Sequence, residues 1–380
     1  MQTMPVAPET DLTEPLAAAT APARTATFTG SGREYFRIWV VNLLLTLATC
    51  GIYSAWAKVR RLQYFDRNTQ LAGACFDFRG DPKAILRGRI LALALLGAYH
   101  YAFGFSLAIG IGVLSFILLA LPFLLRGALR FRLANTQYRG LNLGFDGSVP
   151  QAYLGYLGPV AVFLLPGLLV ALFPDQPEVA ALAVLPYLAW PALHAWMKAY
   201  QHRHLLFGDR RSAYAVPVRR FYRLYLGAGL VGMAGFVFLS VLIGTLTWLA
   251  HGSEGAASTY LPTVLLALTA YAMYLVAGPF MQVRVANLVW SNTRFPGVRI
   301  RSSLSARDFV RLQAGNALLT VLTLGLYRPF AVVRAYRYRI AHTFVEFDGG
   351  VEATAARMTQ GRRNAAGDGA ADALGIDLSW

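Results

Sequence analysis

Residues 50–64 read CGIYSAWAKVRRLQY, and residues 324–338 return to the same pattern as LGLYRPFAVVRAYRY. In both stretches an apolar run ends at a Gly-Ile-Tyr or Gly-Leu-Tyr break, and the sequence then becomes basic. Residues 35–64 and 309–338 align without a gap. They share the pairs Arg37/Arg311, Asn42/Asn316, Gly51/Gly325, Tyr53/Tyr327 and Arg60/Arg334. Apolar composition alone does not produce such matches, so the sequence predicts two copies of one structural unit.

The composition indicates a membrane protein. Of the 380 residues, 56% are hydrophobic and 14% are charged, whereas soluble domains carry roughly 25% charged residues. The deficit comes from long uncharged runs, and a membrane-spanning helix needs about 20 such residues. We therefore expect an all-α multi-pass membrane protein. Six full transmembrane helices are predicted at about residues 85–104, 107–126, 154–173, 179–199, 224–249 and 260–283.

The connections between these runs alternate in charge, which predicts three hairpins. The connections without Lys or Arg are 99–106, 173–178 and 250–260, and the basic ones are 58–89, 126–139, 198–223 and 284–311. Lys and Arg accumulate in cytoplasmic loops. The basic connections and both chain ends are therefore expected on the cytoplasmic side.

The two terminal apolar segments, 38–57 and 312–327, are poor spans. Polar residues interrupt both, at Asn42, Thr46, Thr49, Gln313, Asn316, Thr320 and Thr323. Apolar stretches of about 14 residues are more often interfacial or re-entrant than spanning. Each segment is predicted to enter the cytoplasmic leaflet and turn at Gly51 or Gly325. Two further full spans, giving eight, are the alternative.

The aromatic and basic residues that follow the first turn suit a lipid surface. Tyr53 and Trp56 fit the headgroup zone, and Arg60 is placed to face anionic lipid. Tyr327 and Arg334 occupy the matching positions of the second copy. A simple anchoring role is the plainer interpretation of the same residues.

A second motif, Asn-Thr-x-x-x-Gly, occurs three times in the basic connections. Its residues are Asn68, Thr69 and Gly73, then Asn135, Thr136 and Gly140, then Asn292, Thr293 and Gly297. Asn and Thr can close a helix end, and Gly permits positive φ. Short β-rich stretches such as ACFDF, LNLGF and VRIRS follow. Because sheet edges are not tolerated in lipid, a small cytoplasmic β layer is predicted. The repeat-containing membrane domain is assigned to residues 28–349, between disordered tails at 1–27 and 350–380.

Searches for cofactor and metal motifs give no candidate, so no cofactor is predicted. Gly227–Gly232 matches G-x-G-x-x-G but lies inside an apolar run, where small residues serve helix packing. His202 and His204 flank Arg203 without supporting Cys or carboxylate. The net charge of +16 is interpreted as attraction to anionic lipid headgroups, and nucleic acid is not expected as a partner.

Several of these stretches resemble the YjgN family of bacterial inner-membrane proteins. The resemblance rests on residues 35–39 (YFRIW), 51–61 (GIYSAWAKVRR), Asn68-Thr69 and 78–80 (FRG), and it covers about residues 28–349. The family's usual Pro is Ala55 here, whereas the second copy keeps Pro329. The resemblance implies a multi-pass inner-membrane protein of uncharacterised function and supplies no catalytic residues.

Two functions are compatible with this sequence, and neither is an enzyme. The first is a membrane scaffold or lipid-interacting protein, because the polar repeats all fall in the predicted interface. The alternative is a small-molecule transporter or channel with polar gates at Asn42, Thr46, Asn316 and Thr320. A lipid-modifying enzyme would need convergent acid–base groups, for which the cytoplasmic candidates are Asp66, Asp77, Asp81, Asp146 and Asp348.

Overall fold

The computed structural model describes residues 23–173, 176–182, 185–249 and 256–348. Helices dominate this part of the chain. They are α1 (Gly32–Ala48), α2 (Ser54–Arg67), α3 (Pro82–Phe105), α4 (Leu107–Ala134), α5 (Val149–Leu172), α6 (Pro177–Leu182), α7 (Trp190–Arg203), α8 (Val218–Leu249), α9 (Ala256–Trp290), α10 (Ala306–Leu322) and α11 (Arg328–Ala341). A 3₁₀ turn at Leu185–Ala189 precedes α7.

Short strands occur between the helices. They are β1 (Arg24–Thr25), β2 (Thr27–Phe28), β3 (Thr69–Leu71), β4 (Ala74–Phe78), β5 (Thr136–Tyr138), β6 (Leu141–Phe145), β7 (Leu205–Phe207), β8 (Arg210–Arg211), β9 (Ala213–Tyr214), β10 (Thr293–Phe295), β11 (Val298–Ser302) and β12 (Thr343–Phe347). All their pairings are antiparallel.

The helices are arranged as five hairpins, α1–α2, α3–α4, α5–α7, α8–α9 and α10–α11. Neighbouring hairpins pack side by side, and α1 packs against α11, so the helices close into a ring. The first helix of four hairpins starts at a side-chain N-cap, supplied by Ser31, Asp81, Ser148 and Ser305. Such caps satisfy an otherwise unpaired backbone N–H at the helix start. The second helix of each hairpin (α2, α4, α7, α9 and α11, called here the descending helices) leads directly into a strand.

The strands form a second closed ring, called here the strand ring. One sheet has the order β1-β12-β11-β10-β9, and the other has β2-β3-β4-β5-β6-β7-β8. Only Ala26 separates β1 from β2, and only Ser212 separates β8 from β9. The backbone N–H of Ala26 bonds to the carbonyl of Thr343, and that of Ser212 bonds to the carbonyl of Leu205. The two sheets therefore join at both ends through the continuous segments β1–β2 and β8–β9.

Apolar side chains fill the strand ring. Its core consists of Ala26, Leu71, Tyr138, Leu141, Val298, Val345 and Phe347. The Tyr138 hydroxyl, which is buried, donates to the carbonyl of Leu71 at 2.7 Å. Because most of the strands contribute to one shared core, the ring is stabilised by contacts between residues that are far apart in sequence.

The expected all-α fold with six full transmembrane helices is wrong. The structure has two large antiparallel sheets. Within the described residues, only two helical segments are long and apolar enough to span a membrane, Leu107–Ala134 and Val218–Thr245. Two further full spans, the alternative, are likewise not found.

The physical reasons for this difference are local. The span expected at 179–199 is divided among α6, the 3₁₀ turn at Leu185–Ala189 and α7. The terminal segments, expected as re-entrant or interfacial pieces, are the 17-residue helices α1 and α10, each paired with a 14-residue basic helix. The strands have only two to five residues each, which is too short for a clear alternating pattern.

The expected tails lie mostly outside the described residues. At the N-terminal side, however, the first strand already begins at Arg24 and pairs with β12. Residues 24–27, assigned to the tail from their composition, therefore form part of the strand ring.

Candidate membrane-facing site

The tips of the first and last hairpins have the same backbone geometry. Cys50 and Gly51 have φ values of 48° and 91°, and Leu324 and Gly325 have 50° and 92°. The N–H of Gly51 bonds to the carbonyl of Thr46 at 2.7 Å, and that of Gly325 bonds to the carbonyl of Thr320 at 2.7 Å. Glycine adopts positive φ without a steric penalty, which explains why the Gly-Ile-Tyr and Gly-Leu-Tyr breaks form these turns.

Aromatic and arginine side chains follow each tip. Arg334 donates to the hydroxyl of Tyr327 at 2.8 Å, and the guanidinium of Arg60 lies 5.7 Å from the ring centre of Tyr53. Tyr53 stacks on Trp56, as Tyr327 stacks on Phe330. Both arginines are exposed. Each hairpin therefore presents an aromatic pair with an arginine folded back toward the tip.

The tips also expose large apolar side chains. Leu324 is 95% exposed, Leu322 69% and Leu47 67%. The other exposed apolar residues of these two hairpins are Val41, Leu43, Leu44, Leu45, Ile52, Leu318, Val321 and Leu326. Soluble monomers rarely expose apolar patches of this extent, and such patches mark contact with a membrane or a partner.

The polar residues of α1 and α10 are used inside the hairpins. Asn42 and Asn316 are buried, and each accepts a bond from Thr46 or Thr320 at its backbone carbonyl, at 2.6 Å. The side-chain amide of Asn316 also donates to the carbonyl of Ala331 at 3.3 Å. The Oδ1 atoms of both asparagines have no hydrogen-bond partner. The remaining pair of the alignment, Arg37 and Arg311, is exposed.

The Asn-Thr motif lies where a descending helix meets the strand ring. Asn68, Asn135 and Asn292 donate to the carbonyl four residues earlier at 2.7–2.8 Å. The hydroxyls of Thr69, Thr136 and Thr293 also bond four residues back. Gly73, Gly140 and Gly297 have φ values of 76–78° in the hairpin turns between strands. These residues end a descending helix and start a strand, at the opposite end of that helix from its hairpin tip.

Two further junctions use histidine: residues 202–215 (HRHLLFGDRRSAYA) resemble a degenerate copy of the motif in the sequence, whereas the junction at His342 was missed. His204 and His342 bond through Nδ1 to the carbonyl four residues earlier, each at 2.8 Å. His202, by contrast, bonds through Nδ1 to the hydroxyl of Thr293 at 3.0 Å. The signal that would have found these junctions is a buried proline thirteen residues before the Asn or His, at Pro122, Pro191, Pro279 and Pro329. The first descending helix has Ala55 at this position.

Most of the aspartates named as acid–base candidates are engaged in separate contacts, although the charge of Asp77 acts on Asp66. Asp77 pairs with Arg67 and Arg79, Asp81 caps α3, and Asp146 pairs with Arg211. Burial raises the pKa of Asp66 to about 6, against a lowering by the charge of Arg132 and with a further raising by the charge of Asp77. Asp77, Asp81 and Asp146 are therefore each used in a local contact.

Two cavities lie on either side of α7. The first, about 560 Å³, is called the apolar cavity and is lined by α4, α5 and α7. Its walls are mainly Leu, Val, Ala, Pro and Met, with Arg132, Tyr156 and Gln201 as polar members. The second, about 580 Å³, is called the cationic cavity and has His194, Lys198, His202 and Arg339 in its lining. One helix thus separates two spaces of different chemistry.

Exposed apolar hairpin tips, flanking arginines and two long apolar helices define a class of membrane-associated helical protein that carries a closed layer of strands. The chain belongs to the family described as "Bacterial protein of unknown function (DUF898)", whose sequence model matches residues 23–373. The resemblance noted from the sequence is thereby confirmed.

The curated relatives carry a membrane name. The inner membrane protein YjgN of Salmonella typhimurium is 30% identical over 156 residues, which are 39% of this chain and 38% of the relative. The protein of the same name from Escherichia coli K12 is 30% identical over 135 residues, 34% of this chain and 32% of the relative. The matches thus span about a third to two fifths of the relatives' length. No solved structure matches the chain.

Proposed function

We propose that this protein is a non-enzymatic, lipid-interacting protein of the bacterial inner membrane. The names of its relatives support the location. The observation that carries the proposal is the apolar tip of the hairpins α1–α2 and α10–α11, called here the short hairpins. Leu324 is almost fully exposed at one tip, and an arginine lies on the helix that follows. Burying apolar surface in lipid stabilises by about 25 cal/mol per Å², and a juxtamembrane arginine adds about 1 kcal/mol on an anionic surface.

The proposed arrangement is multi-pass. Leu107–Ala134 and Val218–Thr245 belong to different hairpins, so more than one hairpin enters the bilayer in this proposal. The short hairpins insert their tips from the face that carries the strand ring, which stays in water because sheet edges and polar loops are not tolerated in lipid. The basic residues around the strand ring favour the cytoplasmic side. Repeated hairpin-and-strand units then act as a scaffold at this surface.

The native cysteines allow a direct test with an internal control. Cys50 lies at the tip of the first hairpin, Cys75 lies in β4, and both are exposed thiols. An environment-sensitive nitrobenzoxadiazole label is attached to Cys50 in a Cys75→Ser chain, or to Cys75 in a Cys50→Ser chain. Both proteins are reconstituted in phosphatidylglycerol–phosphatidylcholine vesicles.

We expect the label on Cys50 to be quenched by doxyl-labelled lipid and protected from aqueous iodide, and the label on Cys75 to behave in the opposite way. Arg60→Gln combined with Arg334→Gln is expected to weaken the preference for phosphatidylglycerol. If iodide quenches both labels equally, the tip lies in water and the proposed insertion is incorrect.

A transporter or channel is the second candidate, and the cavities beside α7 favour it. The core that fills the strand ring means that a path would have to leave between the helices. Uptake of a solute into vesicles that contain the protein, but not into empty ones, would favour this candidate over a scaffold.

A further inference from the structure

We infer that the cationic cavity binds an anion that carries a phosphate or carboxylate group. The inference concerns the space between α7, α9 and α11, away from the hairpin tips, and it does not depend on whether the tips enter lipid. The cavity has a volume of about 580 Å³, which is in the range of small-molecule sites.

Two cations from different helices line this cavity. Lys198 extends from α7 and is half-buried, and Arg339 extends from α11. None of the ion pairs among the described residues involves either side chain. A cation taken out of bulk water without a counter-charge is costly, so an anion between the two would relieve that cost.

Neutral amides orient both cations. The Nζ of Lys198 donates to Oε1 of Gln201 at 3.0 Å, and the guanidinium of Arg339 donates to Oε1 of Gln282 at 2.7 Å. Arg339 also lies over the ring of Phe309, at 5.1 Å from its centre. These contacts fix the cations while leaving their charge uncompensated, and each retains further N–H donors for a ligand.

The buried end of the cavity contains a histidine whose orientation is fixed. His202 is buried and its Nδ1 is engaged with Thr293, so the imidazole is held in one orientation beside the ring of Trp290. A fixed donor fork from Arg together with a Lys point charge is the side-chain combination that recognises phosphate and carboxylate oxygens.

The experiment uses the full chain in detergent micelles and two sources of the same chemistry. Inorganic phosphate is titrated by calorimetry against sodium chloride of equal ionic strength. Phosphatidylglycerol is then compared with phosphatidylcholine, with bound lipid counted by native mass spectrometry. The variants are Lys198→Met and Arg339→Met, with Arg299→Met, an exposed cation of β11, as the matched control.

We expect the wild type to bind one of the two probes. We expect Lys198→Met and Arg339→Met each to weaken that binding about tenfold or more, because a hydrogen bond to a charged group is lost. Arg299→Met should bind like the wild type. Phosphate binding alone identifies a soluble anion, and selective phosphatidylglycerol retention identifies a lipid headgroup. Without ligand, the melting temperatures of Lys198→Met and Arg339→Met should be no lower than that of the wild type, because neither substitution leaves an opposite charge buried without its partner.

Arg339→Lys is the second test of the site. It keeps the charge and removes the planar fork, so its affinity should lie between those of the wild type and Arg339→Met, even if Arg339→Met folds poorly. The proposal is overturned if the wild type binds neither probe, or if both methionine variants bind like the control.

Discussion

The two cavities beside α7 have nearly equal volumes, about 560 and 580 Å³, yet the first has Arg132 as the one basic residue of its described lining, whereas the second has His194, Lys198, His202 and Arg339. Trp190, Met197 and Gln201 face one side of the helix, and His194, Lys198 and His202 face the other. Adjacent positions of a helix point about 100° apart. A shift of one residue, from Met197 to Lys198, is therefore enough to exchange an apolar wall for a charged one.

The position of a charged side chain on α7, more than its exposure to solvent, decides whether the fold tolerates it. Lys198 is half-buried, lines the cationic cavity and donates to the amide of Gln201, which lies on the apolar-cavity side. The neighbouring Met197 packs with the cluster of Phe145, Tyr156 and Tyr200.

Moving the lysine by one residue should have the largest effect. Met197→Lys places a cation against the apolar cavity, so we expect a loss of about 4 kcal/mol in unfolding free energy, set by desolvation of the ammonium. The matched control is Lys198→Met, expected to be neutral or slightly stabilising. Thermal unfolding in detergent, followed by circular dichroism, measures both. Equal losses in the two variants would remove the distinction between the cavities.

Asp66 gives a pH-dependent effect of intermediate size. Its folded pKa of about 6, raised by burial against 3.8 in its usual state, means that the folded protein holds this proton more tightly than the unfolded chain. Stability from this group is thus greatest below pH 4 and is lost as pH rises through 6. Asp66→Asn should raise the unfolding free energy by about 3 kcal/mol at pH 8.

The pH series supplies the control for Asp66→Asn. The variant and the wild type should converge in stability below about pH 4, because the carboxyl is then protonated in both folded and unfolded states. A stability gain that persists unchanged at low pH would show that the amide acts through packing instead.

His202, in the cationic cavity, should act in the opposite direction. Burial, together with the charge of Lys198, lowers its pKa to about 3, so the unfolded chain takes up the proton first. Stability from this residue is complete above pH 6.5 and falls as the pH drops, by about 2 kcal/mol at pH 5. His202→Gln keeps a polar partner for Thr293. The variant should lose less unfolding free energy than the wild type as the pH drops below 6.5.

Urea titrations at several pH values between 4 and 8 measure the His202 effect. His342→Gln is the matched control, since His342 bonds to a backbone carbonyl at the end of α11 and does not line the cavity. If His202→Gln loses as much unfolding free energy at low pH as the wild type, the buried imidazole does not govern acid sensitivity.

Local features of the fold were predictable from residue identity. The turns at Gly51 and Gly325 and the junctions at Asn68, Asn135 and Asn292 depend on backbone freedom and on bonds four residues back. The sequence also indicated β-rich stretches after each Asn-Thr. It indicated the junction at His204 only as a degenerate copy of the motif and did not indicate the one at His342, because Asn and His share a hydrogen-bonding role without sharing identity.

The candidate sites were predictable only in part. Tyr53, Tyr327, Arg60 and Arg334 were singled out from the alignment, and the structure places each arginine beside its tyrosine. Lys198 and Arg339 were not singled out, because they lie 141 positions apart on two basic segments. Both line the cationic cavity because α7 and α11 are brought to it by the packing of α8, α9 and α10 between them.

Sequence alone determined the elements that depend on neighbouring residues: apolar runs, helix ends, glycine turns, and a charge pattern suited to a membrane surface. The tertiary structure decided how these elements join. Strands of two to five residues are marginal by themselves, and they persist here because Arg24 and Thr25 pair with β12, more than 300 residues later. That pairing and the shared apolar core close the strand ring, and the same long-range packing places the two cavities on opposite sides of α7.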